Sequence, residues 1–152
     1  MDLTQFDTKD VAEAGRPLHM RHPFKKHLLY VGEGAAETGK LFDRKRPHEK
    51  VTITVRGWHS ETISSHFRAL ASEKLRNETE DDDPLESADE KTDDLIDMLV
   101  IGWENVTDDA GEPLPCNRKN KIAVVRSNSD FERQVVNFAQ DQANFFGKPA
   151  KG

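Results

Sequence analysis

The sequence is poor in cysteine, in apolar side chains and in long hydrophobic runs, and each shortage removes a class of protein. A single cysteine, Cys116, cannot close an intramolecular disulfide, and no Cys/His spacing matches a structural zinc site. No apolar run approaches the roughly 20 residues that a membrane-spanning helix requires. The first residues, Met1-Asp2-Leu3-Thr4-Gln5-Phe6-Asp7, carry neither the basic start nor the hydrophobic stretch of a secretion signal. The expected location is a reducing cytoplasm, with no membrane as partner.

The apolar share is 35%, and even with the 9 glycines counted it stays below the roughly 45–50% usual for globular domains. A chain of 152 residues nevertheless suits one ordinary domain, which hides about two thirds of its extended-state surface on folding. A thin core is therefore expected. Charged residues make up 33% of the chain and the net charge is -6, which favours solubility and argues against duplex nucleic acid as the main ligand.

What is present organises into short elements. Thr8 or Asp7 can cap a helix over 8–15 that Gly15 ends before Pro17. Leu18–His22 and His27–Val31 read as strands about a tight connection at Pro23, and Val51-Thr52-Ile53-Thr54-Val55 as a third, with its apolar residues on one face and its threonines on a wet one. Between the second and third strands lies a basic, glycine-containing loop, about 32–50. Ile63, Phe67, Leu70, Ala71 and Leu75 recur at helical spacing over 60–76. Residues 78–90 hold eight carboxylates, Pro84 and, as large apolar residue, only Leu85. That composition cannot offset about 1–2 kcal/mol of backbone entropy per residue, so a solvated linker is expected. An apolar helix follows from Thr92 to Trp103. Asp108–Gly111 reads as a turn and Pro113-Leu114-Pro115 as an extended segment. Asn117 caps a brief helix to Val125. Ser129 and Glu132 have the spacing of a capping box, opening a last helix with Phe131, Val135, Phe138, Ala139, Gln142 and Phe145 on one face, ended by Gly147 and Pro149.

The predicted fold class is α+β: a small N-terminal antiparallel β-sheet with a mainly helical C-terminal part. Residues 1–76 carry the sheet and amphipathic helix, 77–91 the acidic linker, 92–147 the helical region and 148–152 a tail; one integrated domain is the alternative.

Signals for chemistry are few. His19 and His22 are three apart and so face opposite sides of a strand, with no carboxylate to complete a metal triad; solvent-facing structural histidines are the better reading. Paired catalytic carboxylates need one acid raised by burial, which a solvated acidic tract does not supply. Gly32-Glu33-Gly34 lacks the further glycine and helix start of a nucleotide fingerprint. No catalytic residue, cofactor or metal is therefore assigned, and the protein is read as a non-enzyme. Lys25, Lys26, Lys40, Arg44, Lys45, Arg46 and Lys50 could contact phosphates, but a solvated loop or a complement to an acidic surface on a neighbouring copy is preferred.

The segment Val100-Ile101-Gly102-Trp103-Glu104-Asn105-Val106, then Gly111-Glu112-Pro113-Leu114-Pro115-Cys116, then a short and a long helix ending Asn144-Phe145-Phe146, resembles the tail assembly chaperones of long-tailed (siphovirus-type) bacteriophages over about residues 90–146. Pro17–Pro23 and the Val51–Arg56 strand are similar to the N-terminal part of one phage subgroup. The resemblance implies a protein of the host cytoplasm that coats the tape measure protein, recruits tail tube subunits and leaves before the tail is complete, with no catalysis and with a homo-oligomer compatible. Families of this kind often include a longer form made by translational frameshifting. A reversible coat suits a thin core whose apolar helix faces bind the spaced anchors of a helical client. Trp103, Phe131, Phe138, Phe145 and Phe146 are the candidate protein-binding residues. The first four are favoured as core, since each burial is worth about 1.5–3 kcal/mol. Phe146, off the stripe, is the candidate exposed anchor. The alternatives are a structural virion component, such as a head-tail joining or tail completion subunit, and a small nucleic-acid-binding regulator.

Overall fold

The alternation of β-branched residues at 51–55 produces strand β2 (Thr52–Val55), and both of its edges are occupied. In the computed structural model, which describes residues 2–26, 28–30, 50–76, 84–108 and 110–146, β1 (Arg16–His19) pairs antiparallel with one edge, Leu18 opposite Ile53 and His19 opposite Thr52. Strand β3 (Val100–Glu104) pairs antiparallel with the other, Ile53 opposite Trp103. Thr54 faces Gly102 and Val55 faces Val100, so Ile101 is the extra residue of a β-bulge. The protein is α+β, as its sequence implies, but the sheet is not confined to the N-terminal half because its third strand follows the acidic region.

Five helices surround the sheet among the described residues: α1 (Lys9–Ala14), α2 (Glu61–Arg76), α3 (Pro84–Leu99), α4 (Arg118–Arg126) and α5 (Ser129–Gln140). Short 3₁₀ turns at Leu3–Phe6 and Gln142–Phe145 flank the set. One apolar cluster draws on both halves of the chain: Met20, Ile53 and Val55 meet Ile63, Ile96, Leu99, Val100, Val125, Val135 and Ala139. Val11, Ala12 and Phe145 form a second, smaller cluster.

Immediately after β2 the chain makes three consecutive backbone hydrogen bonds to three helices. The amides of Arg56, Gly57 and Trp58 donate to the carbonyls of Leu99, Ala12 and Ala139 at 2.7, 2.8 and 2.8 Å. Gly57 packs so closely on α1 that a Cβ there would lie 2.6 Å from the Ala12 Cβ. Ser60, fully buried, then caps α2 by accepting from the Ile63 amide at 3.3 Å.

Several expected elements take a different form. The apolar run 95–103 does not continue as a helix: α3 stops at Leu99 and Val100–Glu104 is strand. Val100 and Ile101 are β-branched, and the open edge of β2 needs a partner for its backbone groups. The proposed linker 77–91 divides. Residues 77–83 lie outside the described residues, whereas 84–91 are the opening turns of α3, with Pro84 at the first helical position where its missing N–H costs nothing. The carboxylates of α3 are not simply solvated. Arg126 bridges Asp89 (3.3 Å) and Asp93 (2.8 Å), Arg118 bridges Asp94 (2.7 Å) and Asp97 (3.3 Å), and Lys121 meets Asp97 (3.3 Å). These pairs lash α3 to α4 and hold both arginines above their ordinary pKa through the carboxylate hydrogen bonds.

The expected second strand, His27–Val31, reduces among its described residues to single bridge pairs, Leu28 with Arg21 and Tyr30 with Lys50. The basic loop that follows lies outside the described residues from 31 to 49. Thr52, placed on the wet face by alternation, is buried, so that face is partly covered. His22 is buried too, its Nδ1 accepting from the amides of Phe24 and Lys25, rather than facing solvent. His19, half-buried, contacts the Leu29 carbonyl through Nε2 at 2.7 Å. Along α2 the stripe buries Ile63 alone: Phe67 tilts against Trp58, Leu70 is half-buried, and Ala71 and Leu75 are exposed. Helix α5 is capped not by Ser129 but by Asn128, one residue earlier, whose extended backbone and side-chain oxygen satisfy the Asp130 amide at 2.8 Å.

Glu13 fastens α1 to α2: its carboxylate accepts from the Thr62 amide at 3.0 Å and from the Thr62 hydroxyl, and it pairs with Arg56 at 3.5 Å. Partial burial opposes ionisation, but the hydrogen bonds from Thr62 and the Arg56 charge outweigh it and hold the carboxyl below its ordinary value. A depressed carboxyl contributes stability that is complete above the unfolded-state pKa and lost as pH falls through the lower native one. Replacement Glu13→Gln is therefore expected to flatten the loss of melting temperature below about pH 4.3, an effect readable from melts at stepped pH. Gly57→Ala is expected to destabilise by about 1–3 kcal/mol in urea unfolding, because the added methyl displaces α1.

Candidate protein-binding surface

The five aromatic candidates separate by environment. Trp103 sits on β3 opposite Ile53, half-buried against the main core, and its indole N–H donates to the Leu114 carbonyl at 2.8 Å. This bond joins the Gly102-Trp103-Glu104 junction to the Gly111–Cys116 segment. The Leu114 amide also donates to the Val106 carbonyl at 3.0 Å, and Thr107 bridges Pro113. The turn between them closes on Asp108, whose side chain accepts from the amides of Ala110 and Glu112, with Gly111 at φ +80°. Asn105, at φ +63°, donates through its side-chain amide to the Lys50 carbonyl at 2.7 Å.

Phe131, in the first turn of α5, and Phe138, two turns later, pack half-buried against the main cluster. Phe138 also reaches the smaller cluster, meeting Phe145 edge to face with ring centroids 5.6 Å apart. Phe145 is 1% exposed. Helix α5 ends at Gln140, and the 3₁₀ turn Gln142–Phe145, capped by Asp141, carries Phe145 inward onto Val11 and Ala12.

Phe146 points the other way and is 57% exposed. Its ring stacks on that of Phe6, centroids 6.2 Å apart, and its carbonyl accepts from Arg16 at 3.5 Å. Phe6 is itself 53% exposed and Leu3 70%. Residues i and i+3 eclipse in a 3₁₀ helix, so Leu3 and Phe6 share one side of the Leu3–Phe6 turn. An apolar surface patch of Leu3, Phe6 and Phe146 thus stands where the N-terminal turn meets the end of the helical region.

The structure brings Phe138, Phe145 and Phe146 together around the second 3₁₀ turn; Trp103 lies on the sheet and Phe131 at the start of α5. Leu3 and Phe6 were not singled out from sequence, because a four-residue segment offers no periodicity to read. Chemistry of other kinds finds little purchase. Among the described residues, no group of three or more His, Cys, Asp or Glu is placed to hold a metal ion, and no helix is long and apolar enough to cross a membrane. Cys116 is half-buried, and burial pushes its thiol pKa up, away from the reactive thiolate.

Comparison with protein-family models, with curated proteins and with solved structures finds no match to this chain.

The contrast between adjacent phenylalanines is measurable. Phe145→Ala is expected to cost about 3–5 kcal/mol, whereas Phe146→Ser should stay within about 0.5 kcal/mol, both read from denaturant midpoints.

Proposed function

We propose that the protein is a non-catalytic tail assembly chaperone of a long-tailed phage, which binds the tape measure protein in the host cytoplasm and recruits tail tube subunits. The observation that carries this reading is the exposed patch that Phe146, at the end of the region resembling those chaperones, makes with Leu3 and Phe6 of the N-terminal turn. Large apolar side chains left at the surface, next to one that the fold buries completely, mark a contact surface better than a folding requirement. Stacked aromatics rimmed by a cationic side chain suit the apolar ridge of an amphipathic client helix. The Trp103–Leu114 bond adds support, since it makes the two halves of the resembling segment one packed unit.

Affinity-tagged protein, produced in cells making the phage, is expected to co-purify with a very long, helix-rich tape measure protein and to be missing from purified particles. Phe146→Ser should weaken that co-purification roughly tenfold, as loss of an interface anchor does, while leaving the melting temperature nearly unchanged. Stoichiometric copies on finished particles would overturn the chaperone reading and assign a structural subunit.

A further inference from the structure

The turn after β1 and the opening turns of α5 enclose a hollow of about 190 Å³ lined by Arg21, Lys26, Asp130, Arg133, Gln134 and Asn137. It runs along one side of α5 from Asp130 to Asn137, whereas Phe146 follows the helix's C-terminal end. The wall is held firmly. The buried His22 ring accepts from the amides of Phe24 and Lys25 through Nδ1, both at 3.1 Å, and Lys26 sits at φ +64°. Arg21 donates from its guanidinium to the Lys26 carbonyl at 3.3 Å. A reciprocal pair clamps this turn to the helix: the Arg21 amide donates to Gln134 Oε1 at 2.8 Å, and Gln134 Nε2 donates to the Arg21 carbonyl at 3.0 Å.

Charge at this face runs against that of the whole chain. Arg21, Lys26 and Arg133 line the hollow against the single lining carboxylate of Asp130, on a protein of net charge -6. Asp130 is already engaged, by Lys26 at 3.0 Å, by Gln134 at 2.8 Å and by Arg133 at 3.6 Å. Two guanidiniums and an amide around an open hollow match a carboxylate, which planar Arg groups bind through paired N–H donors. Phe24, in the same turn between Arg21 and Lys26, is 80% exposed and meets the His22 ring edge to face with centroids 6.0 Å apart. An open hollow cannot enclose a small molecule on most of its surface, so the carboxylate must arrive on a larger partner.

We propose that this face docks an acidic peptide segment of a partner protein, one carboxylate entering between Arg21 and Arg133 while a neighbouring apolar side chain rests on Phe24. The site is separate from the Phe146 patch and does not depend on the chaperone reading.

Fluorescence anisotropy with a labelled glutamate decapeptide carrying one central phenylalanine, at about 50 mM salt where screening is weak, tests the site. Saturable binding is expected, weakened roughly tenfold or more by Arg133→Glu and several-fold by Phe24→Ser, with unchanged melting temperatures. The same peptide with glutamine for every glutamate should not bind. A single-stranded thymidine oligomer of similar length should bind more weakly than the acidic peptide. The proposal fails if the acidic peptide does not saturate, if Arg133→Glu and Arg133→Gln both bind it as tightly as the native protein, or if the oligonucleotide binds better, which would make the face a phosphate surface.

Discussion

The amides of Arg56, Gly57 and Trp58 draw three separate parts of the chain onto the end of β2, since their acceptors, Leu99, Ala12 and Ala139, belong to three different helices. Buried backbone donors must find partners, and these three follow directly from a strand whose own edges are full. Once β2 lies between β1 and β3, the residues that leave it point into the one place where α1, α3 and α5 can converge. The missing side chain of Gly57 is what lets α1 approach, and Phe145 closes the same junction, 3.3 Å from where a Gly57 Cβ would stand. The ends of α3 and α5 are thereby positioned from the middle of the sequence.

A thin core becomes sufficient under that arrangement. The cluster of Ile53, Val55, Ile63, Ile96, Leu99, Val100, Val125, Val135 and Ala139 contains no aromatic ring, and the larger side chains, Trp58, Trp103, Phe131 and Phe138, pack around it half-buried. Polar ties do what a larger core does elsewhere. Glu13, Thr62 and Arg56 join α1, α2 and the end of β2, with Arg56 also donating to the Met98 carbonyl at 2.9 Å. Surface ion pairs are individually weak, but those between α3 and α4 share partners across two helices and fix register more than they add stability.

Local signals in the sequence were sufficient where one segment decides its own structure. The helix stop at Gly15, the alternation at 51–55, the start of α2 after Ser60 and the cap at Asn117 are each settled by a few neighbouring residues. They were not sufficient where a distant segment decides. Residues 95–103 are apolar enough for either a buried helix or a strand, and only the vacant edge of β2 selects strand from Val100 onward. The acidic stretch 84–91 has the composition of a solvated linker, but it continues into a helix whose Asp89, with Asp93 one turn on, pairs with Arg126 of α4. The proposed binding surface shows the same division. Phe146 stands out because it falls off the helical stripe, whereas Leu3 and Phe6 join it only through tertiary placement. His22 looked exposed because strand alternation takes no account of a turn that folds back onto its ring.

The pairing of α3 with α4 settles part of the chain's charge locally, away from the basic face at residues 21–26. Carboxylates outnumber basic side chains overall, 28 to 22, yet Asp89, Asp93, Asp94 and Asp97 are satisfied by Arg118, Lys121 and Arg126 within the fold. Charges neutralised at short range contribute little potential beyond a Debye length, about 10 Å at ordinary ionic strength. What an approaching partner meets at the turn of residues 21–26 is therefore set by its own residues, not by the net charge. The cationic hollow lies along the side of α5 that carries Asp130, Arg133 and Asn137, and the apolar patch at Phe146 follows the C-terminal end of that helix, which Val135 and Ala139 anchor in the core. One helix anchored by a buried face thus fixes the separation of the hollow along its side from the apolar patch past its end, which is the geometry that would let one long partner engage both proposed surfaces with the second contact positioned by the first.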